Sequence, residues 1–342
     1  MRRSADLRKF LLVFLLLLTS CRHEPLREVF KRTEKLMGTF VEVCVVTADH
    51  EKAEAAINAA FRVMREAEGL MSVDLPESEI SRLNAAGSLV VSPATFDCVE
   101  KALEAGRLTS GAFDISSAPL TKLWEEAGRL GKLPARSEID AVRRRVGYEK
   151  IGLDPIKRRV TLAPGMRIDL GTAARAYGAD MAVDLLRRRG ITSAIINAGG
   201  DLYLLGRAVN GGPWRVKIPN PFASDASSFI AAAGLKDQAC VSGRYQDRGM
   251  AIEGKFYSRV IDPRSGWPVA PAAGVTVVAS TTVMANALAA GICVSGPEEG
   301  IKLAERLSGV YVFVVAGDKD NVNVSASASW QKVSWKNSGQ GE

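Results

Sequence analysis

Strand and helix signals alternate along this chain from about residue 39 to residue 316, with no repeat, low-complexity block or long Pro/Gly linker between them, and such interleaving specifies a mixed α/β body. Thr39 to Thr47 reads as a strand. A helix follows from about Glu51 to Glu68, where Ala, Ile, Phe, Val and Met recur at three- and four-residue steps. Ser92-Pro93 opens a second helix through Ala105, with Ser as N-cap and Pro at the first helical position. A third, Ala173 to Arg189, ends at Gly190 behind the cationic run Arg187-Arg188-Arg189, which suits a helix C-terminus. Thr192 to Asn197 and Leu202 to Gly206 read as strands flanking a Gly199-Gly200 turn, and further strands are expected at Trp214 to Ile218, Phe256 to Ile261, Gly274 to Ala279 and Val310 to Ala316. The stretch Gly206 to Ser228 is the most irregular, and the tail from Ser325 is polar and expected to fray. With 342 residues, 47% of them hydrophobic, the chain buries a core without disulfide or metal staples.

The formal charge of +7 belongs in part to a leader. Arg2, Arg3, Arg8 and Lys9 precede nine apolar residues, Phe10 to Leu18, and then Thr19, Ser20 and Cys21. A basic segment, an apolar run too short to span a bilayer and a small-residue cleavage zone together read as an export signal. Leu18-Thr19-Ser20-Cys21 also resembles a bacterial lipobox, with Cys21 as the lipidated residue. Loss of residues 1–20 takes away four cations and the acid Asp6, so the remaining 322 residues carry +4. No Lys/Arg stripe with interleaved aromatics accompanies that charge, and nucleic-acid binding is not expected. Cys44, Cys98, Cys240 and Cys293 are widely spaced without a C-x-x-C pair, so neither a zinc site nor a redox motif is indicated. They read as small buried hydrophobes, although an exported chain leaves disulfides open.

His23 and His50 are the whole histidine supply, so a multi-histidine metal site is excluded and neither position suits a nucleophile-histidine mechanism. No strand leads into G-x-G-x-x-G or G-x-x-x-x-G-K-[ST]. Four other clusters carry chemistry. Gly111-Ala112-Phe113-Asp114 places a carboxylate in a turn, as a ligand contact or a plain turn cap. Arg167-Ile168-Asp169-Leu170-Gly171-Thr172 leads into a helix whose first turn carries Arg175, a natural phosphate seat. Tyr257 to Gly266 runs a strand into Asp262-Pro263-Arg264-Ser265-Gly266, a good turn in its own right. Ser280 to Leu288 starts another helix with small residues and is a second candidate anion seat. Alone, these clusters point to a phosphorylated ligand.

The residues also carry a resemblance. Met37-Gly38-Thr39, Leu70-Met71-Ser72, Ser78 to Asn84, Gly111 to Asp114 with Leu123-Trp124, Asp169-Leu170-Gly171 with Tyr177 and Asp180, Asn197 to Asp201, Ser242-Gly243, Ile261 to Gly266, and Ala285 with Ala287-Leu288 occur in the order found in the ApbE family. The sequence resembles that family, the FAD:protein FMN transferases, over nearly its whole exported length. The resemblance implies an α+β, T-fold-like body of two packed lobes, with mainly antiparallel sheets flanked by helices. It divides the chain into a signal (1–20), a lipid-anchored linker (21–35), a flavin-transferase domain (36–335) and a disordered tail (336–342). It implies an exported lipoprotein on the cell or outer membrane, facing the periplasm or outside. FAD is the substrate, cleaved with Mg2+, and FMN goes to a Thr or Ser of a target bearing a D-x-x-[ST]-G-A-[ST]-like motif, such as a membrane redox subunit. Some relatives hydrolyse FAD to FMN and AMP. By position, Met37, Ala112, Phe113, Asp114, Asp169, Arg175 and Ile261 match flavin contacts, Thr172, Asn286 and Ala290 metal positions, and Arg259 and Asp262 catalytic ones.

Departures from the pattern are specific. Asn286 stands where family members carry Asp, Ala290 where they carry Thr, Ala289 where some carry a second Asp, and Arg259 where they carry His; Arg cannot act as a base near neutral pH. Arg175 replaces a Lys or Glu, and Asp74 stands near a lost Tyr. Mg2+ prefers carboxylate oxygens and dehydrates reluctantly, so this set should bind it weakly. Three readings follow: FMN transfer through a weakened Mg2+ site, a non-catalytic FAD- or nucleotide-binding lipoprotein in which Arg175 and Arg259 face the pyrophosphate, and a partner-binding remnant.

Overall fold

A computed structural model describes residues 27–223, 225, 227–245, 249–270 and 272–334. The expected signal 1–20, Cys21 and the tail 336–342 lie outside these residues.

Strands β1 (Glu28–Leu36) and β2 (Thr39–Thr47) form an antiparallel hairpin whose two-residue turn, Met37-Gly38, takes positive φ at both positions (53° and 71°). Such turns match the twist of the flanking strands. Glycine adopts that conformation freely; Met37 does so under strain, and its N–H donates to Glu68 Oε1 at 2.8 Å. Residues 28–35 are therefore strand rather than linker. Their charges, Lys31, Arg32, Glu34 and Lys35 among them, sit on the sheet's edge, where charge discourages pairing with other chains.

The main sheet continues with β6 (Ala194–Ala198), β7 (Asp201–Leu205), β10 (Gln238–Arg244), β13 (Gly274–Ala279), β14 (Tyr311–Gly317) and β15 (Val322–Ala326), in the order β1-β2-β6-β7-β10-β13-β14-β15 with every neighbour antiparallel. One face packs on α1 (His50–Met71), α6 (Gly171–Arg188), α7 (Thr282–Ser295) and α8 (Pro297–Arg306), burying Val41, Val43, Ile57, Phe61, Leu186, Ile196, Val277 and Leu288. The ribbon β8 (Trp214–Pro219) and β9 (Phe229–Leu235) and the 3₁₀ turn Ala328–Lys332 cover the other face around Trp330. From Ser325 to Ser334 the chain thus keeps regular structure: β15 completes the sheet, and the buried indole of Trp330 against Phe313 supplies apolar anchorage that the polar composition hides.

A second core lies between α2 (Glu79–Ala86), α3 (Pro93–Leu108), the first turns of α6 and a small sheet of β3 (Ser88–Val90), β5 (Arg159–Leu162) and β4 (Ile151–Asp154). A third joins α4 (Ala118–Leu130) and α5 (Arg136–Arg143) to the hairpin β11 (Gly249–Ile252) and β12 (Lys255–Ser258). The strand expected at Phe256 to Ile261 stops at Ser258, and Ile261 keeps only an isolated bridge to Pro268 because the chain turns at Asp262-Pro263. Thiols 44, 98, 240 and 293 are buried and unpaired. His50 opens α1 and packs edge-on against Phe30, ring centroids 5.2 Å apart. Among the described residues, no helix is long and apolar enough to cross a membrane.

Candidate functional site

The N-terminus of α6 is the hub. Asn84 on α2 clasps Ile168 from both sides, Nδ2 donating to its carbonyl and Oδ1 accepting from its N–H, each at 2.8 Å. Asp169 N–H then donates to Ile115 O at 2.8 Å, and Asp169 Oδ1 accepts from Gly171 N–H at 2.8 Å, so the carboxylate turns the chain into the helix. Leu170 O accepts from Ala173 and Ala174 N–H at 2.8 and 3.3 Å, so of the four N–H groups in the first turn of α6 only that of Thr172 is left for a ligand.

Two chambers open beside this turn. One of about 420 Å³ lies between Ala112 to Ile115, Ile261, Pro263 and the α7 residues Ala290 and Val294. The other, about 410 Å³, is walled by Met37, Gly38, Ser72 to Asp74, Ala174 and Arg175. Asp169, Gly171 and Thr172 line both, so the chambers form one groove folded over the α6 N-terminus. Each has the size of a small-ligand pocket, and together they suit a molecule with two bulky ends.

The groove brings together Met37, Ala112, Phe113, Asp114, Asp169, Thr172, Arg175, Ile261 and Ala290 from five distant parts of the sequence. Asp114 is also a turn anchor: Oδ1 accepts from Ser116 N–H and Oγ–H at 2.8 and 2.6 Å, Oδ2 from Tyr148 N–H at 2.7 Å. Burial pushes its pKa up against those bonds. Asn286, one helical turn before Ala290, sits behind the wall in a chain of polar contacts. Thr172 Oγ1 donates to Asn286 Oδ1 at 2.9 Å, Asn286 Nδ2 donates to Asp201 Oδ2 at 2.9 Å, and Arg175 donates to the same oxygen at 3.4 Å.

Asp201 was not among the expected site residues. Its signal lay in Gly199-Gly200-Asp201: the glycine turn delivers the first residue of β7 under α6. Burial lifts its pKa to about 6, outweighing the Arg175 guanidinium. The fold thus favours its neutral form. That contribution is complete below about pH 4 and is lost as pH rises through 6. Wild type should lose up to about 3 kcal/mol relative to Asp201→Asn between pH 4 and 7, measured by urea unfolding at each pH. Parallel pH profiles for the two proteins would contradict this.

Two expected residues, Arg259 and Asp262, line neither chamber, and the expected second anion seat is corrected. Arg259 is exposed and lies outside both chamber walls, which Val260 and Ile261 enter instead. Asp262 is committed to its turn: Oδ1 and Oδ2 accept from Arg264 Nε and Nη2 at 2.8 and 3.0 Å, and Oδ1 from Arg264 N–H at 2.9 Å. The anion seat expected at Ser280 to Leu288 is filled by the chain itself, because Asp180 accepts from Thr282 and Val283 N–H at 2.7 and 3.0 Å; burial still raises that carboxyl to about 6.

The donor set does not fit Mg2+, which asks for about six oxygens in near-octahedral array with carboxylates among them. The three expected metal positions offer one hydroxyl, one amide and a methyl, and the hydroxyl proton already points at the amide oxygen. The adjacent carboxylate, Asp201, carries a guanidinium and an amide N–H on one oxygen. Among the described residues, no three His, Cys, Asp or Glu side chains converge as a metal centre.

Comparison with known proteins follows the same residues. The model of the ApbE family matches residues 37–314. An FAD:protein FMN transferase of Vibrio cholerae serotype O1 is 30% identical over 331 residues, 94% of this chain and 96% of that protein, and one of Escherichia coli K12 is 30% identical over 319, 89% of each. The solved flavin transferase ApbE from Vibrio cholerae superposes with a TM-score of 0.76 at 27% identity, covering 90% of this chain and 99% of that one.

Proposed function

The chain belongs to the ApbE family, and from that membership we propose that it binds FAD in the groove over α6 and transfers FMN from it to a hydroxyl of an acceptor protein. One observation carries the reading: two chambers of similar size meet at Asp169, Gly171 and Thr172, as a dinucleotide with a flavin at one end and an adenosine at the other requires. The names of the relatives, FAD:protein FMN transferase, support it. In the transfer, the acceptor oxygen attacks the FMN-side phosphorus, the bond to the bridging oxygen breaks, AMP leaves and the hydroxyl proton is lost. Negative charge develops at phosphorus, where the Thr172 N–H at the start of α6 and Arg175 offer donors. The acceptor is proposed to be a membrane redox subunit with a D-x-x-[ST]-G-A-[ST]-like motif, and the enzyme to be held at the membrane by a lipid on Cys21.

A second reading is favoured by the closed Thr172-Asn286-Asp201-Arg175 contacts, which leave no ready carboxylate within that set for Mg2+: FAD is held without transfer. In-gel flavin fluorescence after incubation with FAD and an acceptor carrying the motif separates the two. A fluorescent acceptor band with one AMP released per flavin supports transfer. Bound FAD without labelled acceptor supports the second reading, and absence of FAD binding by titration removes both.

A further inference from the structure

We infer that Arg175, oriented by Asp201, is a built-in cation for a diphosphate, so that this groove holds its anionic ligand without a divalent metal ion; this rests on the FAD reading above and specifies how the site works. Arg175 is the fifth residue of α6 and lines the chamber shared with Met37 and Thr172. Its side chain is only 19% exposed, so its charge acts in a poorly solvated setting where each contact counts for more. One amino nitrogen donates to Asp201 at 3.4 Å, which draws the guanidinium toward that carboxylate. Nε is buried without a partner. The other amino nitrogen has no hydrogen-bond partner among the described residues and is not among the buried unpartnered atoms, so it keeps access to solvent on a side chain that lines the chamber.

An arginine paired with a buried carboxylate and keeping an amino nitrogen free can donate to a phosphate oxygen. The acids facing the same chamber are Glu68, Asp74 and Asp169. Two of them are engaged by backbone N–H groups, Glu68 by Met37 and Asp169 by Gly171, so their lone pairs are partly spent. Asn286 completes the arrangement, because its amide donates to Asp201 where a second carboxylate would compete with the ligand for Arg175.

The test is calorimetric titration of the full chain with inorganic pyrophosphate and with FAD, each in EDTA and in Mg2+. Pyrophosphate should bind in EDTA, with an affinity that Mg2+ changes less than about threefold. Arg175→Gln should weaken it about 10- to 100-fold, the loss of one or two charge-assisted bonds, and Arg175→Lys should recover part of that. Riboflavin, which has no phosphate, should bind wild type and Arg175→Gln alike, and this also verifies that the variant is folded. No pyrophosphate binding in EDTA, or equal affinities for wild type and Arg175→Gln, overturns the inference. Pyrophosphate binding without FAD binding instead sinks the flavin reading and leaves the anion site standing.

Discussion

The Trp124→Ala variant is expected to lose about 3–5 kcal/mol of unfolding free energy and most of its FAD affinity, although the indole touches no ligand. Trp124 is fully buried at the centre of the third core, beside Leu120, Ile139 and Ile252. Its Nε1–H donates to Gly266 O at 2.8 Å, and its ring lies 5.6 Å from Tyr257 and 5.3 Å from Trp267. One side chain therefore clamps α4 to both ends of the segment that turns at Asp262-Pro263. That segment supplies Ile261 and Pro263 to the groove. Alanine leaves a cavity too large to collapse and strips the Gly266 carbonyl of its donor, and the two penalties add. Trp124→Phe keeps a ring and loses the hydrogen bond, so it should cost about 1–2 kcal/mol beyond any repacking. Urea unfolding with FAD titration measures both effects; a loss below about 1 kcal/mol for alanine would remove Trp124 from this role.

The clamp also marks where the sequence was legible. Long periodic elements announced themselves: α1, α3, α6 and the strands at 39–47, 194–205 and 274–279 follow from apolar spacing and from caps such as Ser92-Pro93. The groove residues Asp169, Thr172 and Asp114 came from motif order. What stayed hidden depends on partners far along the chain. Nothing local in Glu28–Leu36 distinguishes a charged edge strand from a linker, since its pairing partner β2 decides it. Asp262 reads equally well as a reacting carboxylate or a turn residue until Arg264 folds back on it. Asp180 fills the α7 N-terminus from 102 residues away, and no window on Ser280 to Leu288 contains that fact. Asp201 became a site residue only when α6 and α7 were laid side by side over β7.

The same geometry governs what restoring the missing metal donors should do. Asn286 and Ala290 are four apart on α7 and share one helical face, with Ala290 in the groove wall and Asn286 against Thr172. Asn286→Asp alone sets a second carboxylate opposite Asp201, where the amide now donates at 2.9 Å. Two buried carboxylates at that distance repel, and one must take a proton or a cation. In EDTA the variant should therefore melt below wild type. Added Mg2+ should restore it, because the dication replaces repulsion with shared coordination, while wild type should show no such response. Adding Ala290→Thr supplies a hydroxyl on the same face. A metal that polarises a phosphoryl oxygen contributes several kcal/mol to charge stabilisation in the transition state, so the double variant should raise FMN transfer in Mg2+ by on the order of 100-fold or more. Melting curves in EDTA and Mg2+, with acceptor fluorescence for the rate, read both halves. If the single variant's melting temperature ignores Mg2+, the carboxylate at 286 does not complete a metal site, and the cationic work of the groove stays with Arg175.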